Sequence, residues 1–389
     1  MNKVQLINVE KNYNSHEKLK IKEKGFNLHI PNLIIEEGEF FGLLGPSGCG
    51  KSTLLKLVAG LLEMDKGNIY IENRDISMVT TEKRNIGMVF QEPLLFPHMT
   101  LKDNVAFGLK MRKVKGTERE EEVSKILSIV GLKGLEKRYP NELSGGQQQR
   151  GAIARALVCK PNILLMDEPF SALDPKLREE MRGFIKELQK KYNITIIFVT
   201  HDKEEAFSLF HRMAIMEEGK IVQIGSPKEL YEKPKNMFVS RFLGIKNIFT
   251  GNIKEDYFYG EGFKLYIGMK YRNNLRKNLC NTALKFEKTG ETEEASLNKY
   301  LAIKPEGCKV IKELKEGFSN SKSYNDNFSY IHGEVKNTTF IQGFWHLEVN
   351  ISLKCSLYVI QINEENMDFS PGDRVIVKCN LDKIDFIGE

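Results

Sequence analysis

The sequence predicts an α/β fold, a mixed and largely parallel sheet with a helical subdomain, followed by a smaller all-β domain. Three observations carry this expectation. Short apolar runs at residues 40–44, 163–166 and 194–199 alternate with stretches of helical periodicity, as in a parallel sheet covered on both faces. Between the first run and an apolar helix lie Gly45, Pro46, Ser47, Gly48, Cys49, Gly50, Lys51, Ser52 and Thr53, which match the phosphate-loop pattern G-x-x-x-x-G-K-[ST]. After about residue 238 helical periodicity fades, and short β-like runs separated by Gly, Asn and Pro take over. The expected domains are therefore 1–238, with a helical subdomain at about 92–160, and 239–389.

Taken in order, residues 4–9 alternate apolar and polar side chains, a strand signal, and Tyr13 follows them. Residues 14–25 are polar and Lys-rich and read as an exposed loop. Strand character returns at 26–35, and 36–39 form a turn before the buried strand that leads into the phosphate loop. Further strands are expected at 68–72 and 85–90, the second ending at Gln91, with Pro93 and Pro97 breaking regular structure after it. A helix at 118–130 places Val123, Ile126, Leu127 and Val130 on one face. Ser144, Gly145, Gly146 and Gln147 form a glycine-rich turn that opens the next helix. The strand at 163–166 is closed by Asp167 and Glu168, and Pro175 suits the first position of another helix. The last strand of this alternating series, 194–199, has His201 at its end. In the C-terminal part, β-like runs occur at 301–303, 334–335, 347–349, 357–360 and 374–377, residues 319–329 read as a mobile Ser/Asn-rich loop, and no fixed-period repeat is found.

Composition narrows the class. The 389 residues, 41% hydrophobic and 28% charged, fit a globular protein of two or three domains. The net charge of +6 is mild and the basic residues are dispersed, so no nucleic-acid partner is expected. Six cysteines without a C-x-x-C pair suggest neither a disulfide scaffold nor a zinc site. The N-terminus lacks a signal-peptide core, and no apolar run approaches the ~18 residues that cross a bilayer. Work at a membrane would need spanning helices from another chain.

The motif residues imply phosphate chemistry. Glycines let the backbone approach a phosphate closely, and successive amides at a helix N-terminus attract its charge. Lys51 adds a point charge for the β- and γ-phosphates, and Ser52 a hydroxyl for Mg²⁺. Asp167 can hold Mg²⁺ through its water shell, and Glu168 can polarise an attacking water as general base. Gln91 and His201 stand at the ends of two other strands, within reach of the γ-phosphate edge. His201 in isolation would be an ordinary loop histidine, and Tyr13 a strand-end surface aromatic. Cys49, at a helix N-terminus beside Lys51, is expected to carry a lowered pKa and to react readily with maleimides.

Gly45–Thr53, Gln91, the 143–147 turn, the 163–169 strand end, Ser171 to Asp174 and His201, in this order, resemble the ATP-binding cassette family over roughly residues 1–240. The resemblance implies a P-loop ATPase that takes ATP and Mg²⁺. It implies that Gln91 senses Mg²⁺ and that the loop after it meets a transmembrane partner. Ser144, Gly145, Gly146 and Gln147 would contact ATP held by a second subunit, Asp174 would communicate across that dimer, His201 would clamp the γ-phosphate, and Tyr13 would stack on adenine. Residues 91–100 and 231–234 resemble the importer branch. Residues 301–306 and 333–335 resemble the OB-like regulatory segment of importer ATPases for sulfate, molybdate, ferric iron or polyamines.

The implied protein is the ATPase subunit of a solute importer, peripheral on the cytoplasmic face of the cell membrane. It would act as a homodimer on transmembrane permease subunits and, through them, with an extracytoplasmic solute-binding protein. One alternative is a soluble cassette ATPase acting on nucleic acid or ribosomes, opposed by the single cassette and the absence of a basic stripe. Another is a P-loop kinase, which has no use for a phosphate site donated in trans. The transported solute is not legible in this chain.

Overall fold

The computed structural model describes residues 2–13, 26–268, 299–312, 327–364 and 368–387. The loop expected at 14–25 and most of that at 319–329 lie outside the described residues. The chain divides into two compact units, Met1–Leu230 and Tyr231–Glu389.

The strands of the first unit are β1 (Asn2–Tyr13), β2 (Phe26–Glu36), β3 (Phe40–Leu44), β4 (Lys66–Ile71), β5 (Arg74–Asp75), β6 (Ile86–Val89), β7 (Ile163–Asp167), β8 (Thr195–Thr200), β9 (Arg212–Glu217) and β10 (Lys220–Gly225). They form one sheet in the order β5-β4-β1-β2-β10-β9-β3-β8-β7-β6. Its centre is parallel: β3 pairs with β8 and β9, and β7 with β8 and β6. The wing of β1, β2, β4 and β5 pairs antiparallel. Every side chain of β3 and β8 is buried, which is why those strands read as unbroken apolar runs rather than as alternation.

The helices are α1 (Lys51–Ala59), α2 (Leu101–Met111), α3 (Gly116–Ile129), α4 (Gly145–Leu157), α5 (Pro175–Tyr192) and α6 (Lys203–Leu209), with α7 (Pro227–Glu232) at the junction of the units. Helix α1 packs on β7 and β8. Helices α2, α3 and α4 bury a separate core of Leu101, Val105, Leu109, Val123, Leu127, Leu143, Ala154 and Val158, so the stretch that forms the helical subdomain holds together through its own apolar faces. On the sheet, Phe40, Phe170, Phe198 and Phe210 cluster as tilted rings with centroids 5.4–5.8 Å apart. Gly42 is required here, because a Cβ would lie 2.0 Å from the Phe210 ring.

The C-terminal end of α1 is secured by Arg84, a residue whose role is invisible to periodicity. Its Nη1 donates to Leu57 O (2.8 Å) and Val58 O (2.9 Å), Nε to Val79 O (2.8 Å) and Nη2 to Ser77 O (3.4 Å). The guanidinium donates to carbonyls of the last turn of α1, Leu57 O also accepting from Gly60 N (3.1 Å), and sits favourably at the negative end of the helix dipole. Gly60 makes room for it: its φ is +76°, and a Cβ there would lie 2.5 Å from Arg84 Nε.

The second unit contains α8 (Met237–Leu243) and the strands β11 (Asn247–Lys254), β12 (Tyr257–Gly260), β13 (Phe263–Tyr266), β14 (Lys299–Ile303), β15 (Cys308–Lys312), β16 (Phe328–Ile341), β17 (Phe344–Asn350), β18 (Ser356–Ile362), β19 (Arg374–Asn380) and β20 (Ile384–Ile387). Two antiparallel sheets, β13-β12-β11-β14-β20 and β15-β19-β16-β17-β18, bury a common core that includes Phe258, Leu301, Val310, Leu347, Val375 and Val377. Asn247 ties them together. Its Oδ1 accepts from Tyr358 N (2.6 Å), and its Nδ2 donates to Tyr358 O (2.7 Å) and Ile303 O (3.1 Å). The two importer-like stretches of the sequence meet in this unit. Tyr231 Oη donates to Glu306 Oε2 (3.0 Å), and buried Lys304 donates to Glu232 O (3.0 Å) and Asp385 Oδ2 (2.8 Å). Their pairing supplies the charge partners that a buried lysine needs.

Arg84→Met keeps the apolar stem but removes the guanidinium donors from four carbonyls. It is expected to lower unfolding stability by about 2–3 kcal/mol. Chemical denaturation of the full chain checks this, and an unchanged first transition would remove Arg84 as the α1 anchor.

Candidate nucleotide-binding and hydrolysis site

Four loops leave the C-terminal ends of four neighbouring parallel strands, β3, β8, β7 and β6, and these carry the phosphate loop, His201, Glu168 and Gln91 respectively. Ligands of open α/β sheets bind at that edge. In the phosphate loop, Gly48 and Gly50 have φ of +81° and +103°. A Cβ at Gly45 would lie 2.4 Å from Met216 O, so the loop can take this path only with glycine there. Gly50 precedes α1 without a side-chain cap, and the first α1 hydrogen bond runs from Leu54 N to Gly50 O. The amides of Lys51, Ser52 and Thr53 therefore belong to the uncapped first turn, the part of a helix that binds anions. Lys51 is 5% exposed, and its Nζ reaches back over the loop to Gly45 O (2.8 Å) and Pro46 O (2.9 Å).

Cys49 corrects one expectation. Its side chain is only 3% exposed, and burial pushes the thiol above its ordinary pKa; Lys51, 3.9 Å away, opposes this without overcoming it. The amides of the loop face the helix N-terminus, but the Sγ packs against Gly45, where a Cβ would lie 2.6 Å from it. Cys49 is a poor nucleophile here.

Ser52 Oγ donates to Asp167 Oδ1 at 2.8 Å, joining the start of α1 to the end of β7. Burial raises the Asp167 carboxyl above its usual range; the Ser52 bond pulls it back, neighbouring Glu168 pushes it up, and Lys56 and Lys51 oppose that. Two hard oxygen donors, one of them a desolvated carboxylate, suit Mg²⁺, which takes few protein ligands and keeps the rest as waters and phosphate oxygens. Glu168 follows with φ of +44°. For a residue with a Cβ this left-handed backbone costs on the order of 1–2 kcal/mol. The strain is held by Glu168 N donating to Val199 O (3.0 Å) and Ser171 Oγ donating to Glu168 O (2.9 Å). The result aims the carboxylate at His201, whose Nδ1 lies 3.1 Å from Glu168 Oε2. His201 is exposed, whereas Glu168 is largely shielded. Lys51, Ser52, Asp167, Glu168 and His201 are thus connected at one sheet edge.

Gln91 is exposed beyond β6. The loop after it is held by two residues that belong to no sequence motif. Asn104, fully buried in α2, donates from Nδ2 to Phe96 O, Met99 O and Thr100 O (3.1 Å each) and accepts from Phe96 N (2.7 Å). Arg155 of α4 donates to Leu94 O (2.7 Å) and Pro93 O (3.3 Å) and lies over the Phe96 ring. A buried asparagine in α2 and a half-buried arginine in α4, each beside apolar residues of its helix, were the available signal.

Ser144 caps α4 and exchanges hydrogen bonds with Gln147; Ser144 is exposed and Gln147 half-buried, and these bonds run within the cap rather than to the Lys51–Glu168 group. Gly146 packs on α5, where a Cβ would stand 2.6 Å from Leu177 Cδ1. Asp174 caps α5, its Oδ1 accepting from Leu177 N (3.0 Å). Tyr13, 44% exposed, stands 6.1 Å from the Phe26 ring, and Phe26 abuts Gly50, so Tyr13 flanks the phosphate loop through one intervening ring.

Residues 28–171 match the ABC transporter family. The Fe(3+) ions import ATP-binding protein FbpC of Fusobacterium nucleatum subsp. nucleatum is 40% identical over 371 residues, covering 95% of this chain and 91% of that one. The spermidine/putrescine import ATP-binding protein PotA of Clostridioides difficile is 43% identical over 305 residues, 78% of this chain and 82% of that one. A solved structure of the ATP-binding cassette MJ0796, dimeric in a post-hydrolysis state with ADP and Pi, is 34% identical and matches 58% of this chain and 98% of its own with a TM-score of 0.50. A phosphate loop bonded through its serine to the aspartate that ends a parallel strand defines a P-loop nucleoside triphosphatase. Within that class the chain belongs to the ABC transporter family, as an ATP-binding and ATP-hydrolysing subunit.

At pH 7 the buried, pKa-raised Cys49 should be alkylated more slowly than half-buried Cys355. Site-resolved mass spectrometry after a maleimide time course reads the order. Cys49 labelling first would contradict the burial argument.

Proposed function

We propose that this chain is the ATPase subunit of a membrane solute importer and that two copies sandwich two ATP molecules. The observation that carries this reading is the connected group Lys51, Ser52, Asp167, Glu168 and His201, set beside the Ser144–Gln147 turn, whose Ser144 and Gly145 are exposed and whose Ser144 and Gln147 side chains serve the α4 cap. A turn so placed is available to a second subunit, and the dimeric cassette structure supports that arrangement. Gly45, Pro46, Ser47, Gly48, Cys49, Gly50, Lys51, Ser52 and Thr53 cradle the phosphates, and Tyr13 stacks on adenine. Ser52, Gln91 and, through water, Asp167 hold Mg²⁺, which when bound supplies positive charge to the phosphate oxygens.

Glu168 accepts a proton from the water that attacks the γ-phosphorus. The new P–O bond forms as the bond to the β,γ-bridging oxygen breaks. His201 holds the Glu168 carboxylate from one side and meets the γ-phosphate. Closure of the dimer is transmitted to transmembrane permease subunits through the loop after Gln91, and Asp174 meets the partner copy. The protein then sits at the cytoplasmic membrane face, and a solute-binding protein acts on it only through the permease. Among the described residues no helix is long and apolar enough to cross a membrane. The relatives' names favour ferric iron or polyamines as solute. The β-rich domain at 239–389 is assigned a regulatory role.

Glu168→Gln should bind ATP and hydrolyse it at least ~100-fold more slowly, since positioning survives while the base is lost. Turnover near that of the unaltered protein would take Glu168 out of the mechanism.

The trans arrangement has its own test. Ser144→Arg and Lys51→Ala should each lack ATPase activity, whereas a mixture of the two should regain part of it. Each mixed dimer has one site with both lesions and one with neither. Mixed dimers that form, verified by differential tagging, yet stay inactive would sink the sandwich.

A further inference from the structure

The turn Phe170–Asp174 and the His201 loop come from different strands, and one cation joins them. We infer that Arg178 is a positioning residue that sets the Glu168–His201 geometry together with the turn that precedes α5. Its Nη2 donates to Leu173 O (3.1 Å) and Ser171 O (3.5 Å), its Nε to Phe170 O (3.3 Å), and its Nη1 to Asp202 Oδ2 (3.4 Å).

These contacts close a circuit. Glu168 Oε2 meets His201, whose chain neighbour Asp202 accepts from Arg178. Arg178 grips three carbonyls of the turn, and Ser171 Oγ in that turn donates back to Glu168 O. Arg178 is the cation of the ring. It also stands in the first turn of α5, where a helix dipole disfavours positive charge, so its place is explained by what its head group binds and not by helix electrostatics. The remaining contacts are fixed. Phe170 is fully buried against Phe198, Leu173 N donates to Phe170 O, and Asp202 Oδ1 caps α6 through Glu204 N (2.7 Å), leaving Oδ2 for Arg178. A planar guanidinium can serve several converging acceptors at once; an ammonium on a flexible stem cannot hold the same fork.

The inference rests on Glu168 and His201 being the hydrolytic pair. Four proteins are compared: the unaltered chain, Arg178→Lys, Asp202→Asn and Glu168→Gln. ATPase kinetics are taken per site, with sites counted by nucleotide-binding stoichiometry. Arg178→Lys should lower kcat by roughly 10-fold or more with KM for ATP within about twofold, because the phosphate loop is untouched while the reacting groups lose alignment. Asp202→Asn keeps an N-cap but loses the charged acceptor and should lower kcat about threefold with KM unchanged. A residue that only stabilised the fold would reduce the number of sites and leave kcat per site alone. Values of kcat per site within twofold of the unaltered protein in both variants, with Glu168→Gln inactive, would overturn the role of Arg178 alone. A fully active Glu168→Gln would overturn it together with the assignment of the site. If Arg178→Lys does not fold, Asp202→Asn decides by the same threshold.

Discussion

The Ser52–Asp167 hydrogen bond is the constraint on which the nucleotide edge depends. It joins the first turn of α1 to the last residue of β7, so the phosphate loop is suspended between the end of β3 and a helix that cannot shift along the sheet. It also gives the half-buried Asp167 carboxylate a donor that offsets part of its desolvation, alongside Lys56 and Lys51. The other end of α1 is held just as firmly by Arg84 across four carbonyls. A loop whose amides must converge on phosphate needs a helix fixed at both ends.

Around that fixed helix the parallel strands deliver the remaining groups to one edge. Strand direction alone places Asp167, Glu168 and His201 there, because β7 and β8 run alongside β3 and end level with it. The strained Glu168 backbone then turns its carboxylate across to the neighbouring loop, where His201 meets it. Strain of this kind persists only where surrounding contacts overdetermine it, and the bonds from Glu168 N to Val199 O and from Ser171 to Glu168 O do so.

The C-terminal unit obeys different rules. It has two antiparallel sheets over a common core, and its buried polar groups serve assembly. Asn247 uses its whole amide to bridge the sheets, and Lys304 is neutralised by Asp385 and a backbone carbonyl. The sequence stretches that resembled an importer signature there, around Tyr231 and around Lys304, are two sides of one packed contact. Their residue types follow from the burial of a lysine and of a tyrosine whose ionisation burial and Glu306 together suppress.

Local pattern was enough to read β1 to β4, β6 to β8, α1 and α3 to α5 of the first unit, and to pick out the candidate phosphate-site residues, whereas β5, β9, β10, α2 and α6 were not read. Glycine spacing, unbroken apolar strands and a carboxylate pair at a strand end are dictated by short-range backbone and burial requirements, and they survive translation into sequence. In the second unit the runs at 301–303, 334–335, 347–349, 357–360 and 374–377 fall within β14, β16, β17, β18 and β19, while β11, β12, β13, β15 and β20 were not read. What the sequence did not hold was the identity of partners across the fold. The burial that raises the Cys49 thiol, the grip of Arg84 on α1, the hold of Asn104 and Arg155 on the loop after Gln91, and the circuit through Arg178 each depend on which distant atoms pack against one side chain. A charged or polar residue reads the same in sequence whether solvent or a ring of carbonyls surrounds it. Only the tertiary structure decides that, because desolvation and hydrogen-bond geometry are properties of the enclosed site and not of the chain.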